Sequence, residues 1–81
     1  MKATVYVTVK ENVLDPQGKA VQGALHSMGF GEVGEVRIGK YMELALDTND
    51  RAAAEERVRA MCEKLLANTV IEDYRFELKE D

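Results

Sequence analysis

The chain has 81 residues, 46% hydrophobic and 32% charged, with a formal net charge of −4. That suffices for one domain with a thin core, since a chain this short buries only roughly 60% of its extended surface, and it is too apolar for disorder. The acidic balance argues against nucleic acid as a partner. A single cysteine excludes an internal disulfide, and no apolar run approaches the ~20 residues that span a bilayer. The alternating start, Lys2 to Tyr6, lacks the unbroken apolar core of a signal peptide, so a reducing cytoplasm is the expected compartment.

From residues 2 to 10, Ala3, Val5, Val7 and Val9 alternate with Thr4, Tyr6 and Thr8, which predicts a strand with one strongly apolar face. Asp15 then suits a helix cap, Pro16 the first helical position and Gly29 a left-handed stop, giving a helix over 16–28. Val21, Ala24, Leu25 and Met28 form its apolar stripe, so one face is expected to seek a sheet. Gly18 falls on that apolar side. A glycine inside a helix costs about 1 kcal/mol against alanine, so a close approach by another segment is the expected compensation.

Val36 and Ile38, bracketed by Gly34 and Gly39, suggest a strand over 33–40, and the alternation of Met42, Leu44 and Leu46 another over 41–47. The two are expected to form a hairpin turning near Gly39 and Lys40. Thr48, Asn49 and Asp50 offer caps for a second helix over 51–67, with Ala54, Val58, Met61, Cys62 and Leu65 on its buried stripe and Glu55 and Arg59 paired across one exposed turn. Tyr74, Phe76 and Leu78 alternate with Arg75, Glu77 and Lys79 in a last strand over 70–79.

The order β-α-β-β-α-β predicts an α+β, ferredoxin-like fold: a four-stranded antiparallel sheet with two helices on one face, in a single domain over residues 1–81. Thr4, Tyr6, Thr8, Tyr41, Ala45, Arg75 and Glu77 would line the other face, too aromatic to ignore and too polar for a core. A second copy or a larger partner could cover it.

Nothing in the sequence assembles a nucleophile with a base, paired carboxylates or metal ligands, so no catalytic, cofactor-binding or metal-binding residue is expected. His26 reads as a surface residue and Cys62 as a small core hydrophobe. Gly18 and Lys19 lack the rest of a phosphate loop. The candidate partner-contact residues are Asp15, Gln17, Gly18, Lys19, Arg37 and Lys40. A dimeric small-molecule-sensing regulatory domain shares this element order and is the alternative; RNA binding would need a basic surround for Tyr6 that is absent.

Several segments together resemble the small PurS subunit of bacterial phosphoribosylformylglycinamidine synthase. They are Val13-Leu14-Asp15-Pro16-Gln17-Gly18-Lys19-Ala20, Ala24-Leu25 with Met28-Gly29-Phe30, Val36-Arg37-Ile38-Gly39-Lys40, and Leu65-Leu66-Ala67-Asn68 with Val70-Ile71-Glu72-Asp73-Tyr74. The resemblance runs nearly end to end; Thr69 stands where such sequences often have proline, and Met28 where leucine is common. It implies a non-catalytic subunit of a glutamine-dependent amidoligase of purine synthesis. In that family a glutaminase subunit, PurQ, releases ammonia, and an ATP- and magnesium-using synthetase subunit, PurL, consumes it to convert formylglycinamide ribonucleotide to formylglycinamidine ribonucleotide. The small chain, a homodimer or higher homo-oligomer, would bridge the two, assist ammonia transfer and bind no cofactor itself.

Overall fold

A computed structural model describes residues 1–80. Its elements are β1 (Lys2–Val9), α1 (Pro16–Ser27), β2 (Gly39–Ala45), α2 (Arg51–Met61), a π-helical turn (Cys62–Leu66) and β3 (Glu72–Lys79). The strands form one antiparallel sheet in the order β2-β1-β3. The molecule is flat and elongated, 49 × 27 × 14 Å.

Alternation on β1 builds the core. Ala3, Val5 and Val7 are almost fully buried on one sheet face, against Val58 and Cys62 from the α2 side and Ala67 just beyond. Met42, Leu44, Tyr74, Phe76 and Leu78 close around them from the flanking strands. Asp50 caps α2 by accepting from the Ala53 N–H, and Arg59 donates to Glu55 at 3.3 Å one turn away.

The sheet has three strands, not the expected four. Residues 33–38 alternate as a strand would, yet no strand forms there, because their backbone is engaged elsewhere. The Ile38 N–H donates to Asp15 Oδ2 at 2.8 Å, and the Val36 carbonyl lies directly against Gly18. The hairpin expected at Gly39 and Lys40 is likewise absent. Both residues belong to β2, where Gly39 pairs with Thr8 and Lys40 with Val7.

The second correction concerns α1. Its limits agree with the caps read from sequence, including Gly29 at φ +98°, but it has no extensive packing with any strand or with α2. Val21 and Met28 of its apolar stripe stay exposed, Met28 at 70%. Among the described residues, α2 and the turn that follows it cover the sheet. Residues 10–38 thus form an arm, with α1 running out and residues 30–38 returning. At its far end Phe30 N–H donates to the Leu25 carbonyl and His26 Nε2–H to that of Val33, at 3.0 and 2.7 Å.

The second helix also departs from a uniform 51–67. After Met61 the backbone opens into one wide turn, with the Ala67 N–H bonded to the Cys62 carbonyl five residues back. The widening rotates Leu65 off the stripe and out to solvent, 83% exposed, while Ala67 turns inward.

Candidate functional site

Five of the six candidate partner-contact residues lie at or beside the base of the arm. Asp15 has extended backbone and caps α1 by accepting from the Gly18 N–H through Oδ1 at 3.0 Å. Its other oxygen takes the Ile38 N–H. One carboxylate therefore ties the outgoing helix to the returning segment, 23 residues apart in sequence.

Gly18 is buried at this crossing. A β-carbon there would overlap the Val36 carbonyl oxygen, lie 2.9 Å from the Val36 carbonyl carbon and 3.2 Å from Asp15 Cγ. The close approach expected from sequence is thus one backbone against another. Gln17 and Lys19 project from the same turn into solvent. Lys19 borders a 480 Å³ open depression with Glu11, Asn12 and Glu35.

Arg37 returns beside this base. Its Nη1 is sequestered without a hydrogen bond, with Glu35 at 3.9 Å. Lys40 is not part of the cluster: it lies on β2 and faces Glu72 of β3 at 4.0 Å.

The two N–H groups hold the Asp15 carboxyl below its ordinary value, Ile38 first and Gly18 second, with the Arg37 charge a smaller aid. A carboxylate with a depressed folded-state pKa contributes stability that is complete above its unfolded value and is lost as pH falls through the folded one. In an NMR titration from neutral to acid pH, the Gly18 and Ile38 amide signals are expected to shift together, with a midpoint below the ordinary aspartate range. Asp15→Asn should abolish that step; independent or unmoved signals would refute the double tie.

The outer sheet face carries the residues expected there. The register places Tyr41, Tyr6 and Arg75 in one row across the strands, and Glu43, Thr4 and Glu77 in the next. The Arg75 guanidinium sits 3.9 Å from the Tyr6 ring centroid, and Tyr6 and Tyr41 are 5.6 Å apart. Glu43 receives bonds from Lys2 and from Tyr41 OH, both at 3.0 Å, which lower its pKa, the lysine contributing most. The row was legible in the alternation of β1, but its alignment depended on registers that sequence did not supply.

Cys62 is fully buried and its thiol is pushed up by that burial. Among the described residues no group of three His, Cys, Asp or Glu is placed to hold a metal ion, and no helix is long and apolar enough to cross a membrane. Among the described residues the chain offers surface: an anchored arm with an open apolar stripe, an aromatic and charged sheet face, and the outer edges of β2 and β3. These are the features of a small α+β interaction subunit.

Comparison with known proteins agrees. The family model described as "PurS: Phosphoribosylformylglycinamidine (FGAM) synthase" matches residues 2–80. The chain is 65% identical over 79 residues to the phosphoribosylformylglycinamidine synthase subunit PurS of Bacillus subtilis, covering 98% of this chain and 93% of that one. A solved B. subtilis PurS structure superposes with a TM-score of 0.88 at 64% identity, covering 98% of each chain. A chain in a structure described as PurLQS from Thermotoga maritima superposes at 0.85 with 32% identity, covering 94% of this chain and 93% of that one. The chain belongs to the PurS family, subunits of FGAM synthase in purine biosynthesis.

Proposed function

We infer that this chain is a non-catalytic subunit that holds the glutaminase PurQ and the synthetase PurL of FGAM synthase in register, acting as a homodimer in the cytoplasm. The observation that carries this reading is the arm: a capped helix, tied at its base by Asp15, that leaves Val21 and Met28 of its apolar stripe exposed among the described residues. Its likeness to a chain of the PurLQS structure supports the same assembly. ATP and magnesium belong to the synthetase, and this chain holds neither.

Ammonia released into water at neutral pH is mostly protonated and has lost its nucleophilic lone pair. Two active sites that share it benefit from a fixed, closed geometry, and a small bridging subunit supplies that by positioning rather than by chemistry. Within the candidate set, Gln17 and Lys19 are the exposed contact groups at the arm, Asp15, Gly18 and Arg37 fix the base from which those two project, and Lys40 is a separate exposed group on β2.

Mixing the glutaminase and synthetase with and without this chain tests the reading. Sedimentation is expected to show one complex containing all three chains, and no stable glutaminase–synthetase pair without this one. Equal assembly in its absence would overturn the bridging role.

A further inference from the structure

The inner face of the sheet is covered unevenly. Over its centre, Val58 and Cys62 from the α2 side pack on Val5 and Val7. Toward β3 the arginines of α2 reach further: Arg51 Nη2 donates to the Leu78 carbonyl at 3.3 Å, and the Arg59 guanidinium sits 5.7 Å from the Phe76 ring centroid. Toward β2, Met42, Leu44 and Leu46 stay only half-buried, and Leu46 borders an open groove of 370 Å³ with Ala53, Ala54, Arg57 and Met61. An apolar strip running beside a helix is the setting into which a second helix packs.

The length and composition of α1 match that strip. It has twelve residues, about 18 Å of helix against ~14 Å of strand from Met42 to Leu46. It carries no carboxylate; Lys19 and His26 are its titratable side chains. Ala20, Gly23 and Ala24 keep it slim, while Val21 and Met28 lie exposed.

The arm is also joined to the sheet by two narrow links. Its base is one body, because Asp15 bonds both Gly18 and Ile38 and the Gly18 backbone lies against Val36. On the outgoing side Lys10 is held to the sheet by the Ile71 carbonyl, so the turn between Lys10 and Asp15 is one pivot. On the returning side Ile38 belongs to the arm and Gly39 pairs with Thr8, so the link between those two residues is the other. Both pivots lie at the same end of the sheet, and a swing about the line joining them carries α1 back over a sheet face. The outer face meets it with the Tyr41, Tyr6 and Arg75 row, the inner with the apolar strip.

We propose that α1 is a lid: in the chain free of the larger subunits, the arm swings on these two pivots and seats Val21, Ala24, Leu25 and Met28 on Met42, Leu44 and Leu46, alongside α2. The sheet keeps three strands, because residues 36–38 travel with the arm. The extended arrangement presents the stripe and the closed one hides it, so binding of the larger subunits draws on the extended population. That last step rests on the bridging role inferred above; the closure itself does not.

Paramagnetic broadening in NMR tests the lid on the full chain. A nitroxide is placed on Ser27→Cys, Cys62 being fully buried, and the isotope-enriched labelled chain is mixed with a large excess of unenriched, unlabelled chain. Signals of Met42, Leu44 and Leu46 are expected to broaden while Glu77 on β3 is spared. Val21→Glu with Met28→Glu, both exposed in the extended arm, should cut that broadening about tenfold and leave the Ile38 amide position unchanged. Absence of broadening at these three residues would overturn the lid, and so would broadening that survives the two substitutions. Broadening seen only when the nitroxide sits on a second, unenriched chain would assign the strip to another copy and overturn it too. The bridging role would still be judged by assembly with the two larger subunits.

Discussion

Gly18→Ala is expected to loosen the base of the arm by about 2–3 kcal/mol, read as roughly 30- to 150-fold faster hydrogen exchange at the Ile38 amide. Alanine is the better helix former by about 1 kcal/mol, so propensity alone predicts the opposite sign. The added methyl, however, meets the carbonyl of Val36, which is backbone and cannot swing aside as a side chain would. Relief requires the helix start and the returning segment to part, and parting them strains the two bonds at Asp15. Gly23 supplies the control: it lies in the same helix with nothing within 4 Å of where its β-carbon would be. Gly23→Ala should leave Ile38 protection unchanged, and equal loosening by both substitutions would show that the crossing is not what confines Gly18.

The second large effect is expected at Gly39, the first residue of β2. A β-carbon here would overlap the Val7 carbonyl oxygen and lie 2.9 Å from Thr8 Cγ2. Gly39→Ala should push β2 off the central strand and lower global stability by about 2 kcal/mol, a fall of about 8–16 °C in melting midpoint for a domain of this size. The two glycines differ in reach. Gly39 borders the β1 ladder around which the core is built, so its substitution moves the whole transition. Gly18 secures an arm with little packing on the sheet, so most of its effect stays local. A thermal scan of both variants beside amide exchange separates these outcomes.

That contrast explains what could and could not be read from the sequence. Period-two alternation marked β1, β3 and most of β2, because one face of each is held against a core; the caps Asp15, Pro16, Asp50 and Gly29 marked the helix limits, because those residues satisfy backbone groups locally. Val36 and Ile38 alternate just as convincingly, but a strand needs neighbours, and the Ile38 N–H is taken by a carboxylate far away in sequence. The apolar stripe of α1 was legible, yet a stripe says only that a face is apolar and not which surface receives it. Nothing in Cys62 to Leu66 announced the wide turn that exposes Leu65.

At the candidate site, half of Asp15's role was visible and half was not. Its capping bond is local and follows from the proline beside it. Its second bond depends on where residues 36–38 return, which only the folded chain decides. Lys40 stands close to Arg37 in sequence, but strand pairing carries it away to Glu72.

On this reading the chain works by placing two larger subunits rather than by reacting with anything itself. Turnover measured on the reconstituted mixtures tests it most directly, with glutamine and with free ammonia as alternative nitrogen sources. Omitting this chain is expected to abolish most glutamine-dependent formation of formylglycinamidine ribonucleotide while sparing a larger share of the ammonia-dependent reaction. Equal glutamine-dependent rates with and without it would show that the two larger subunits do not need it to share ammonia.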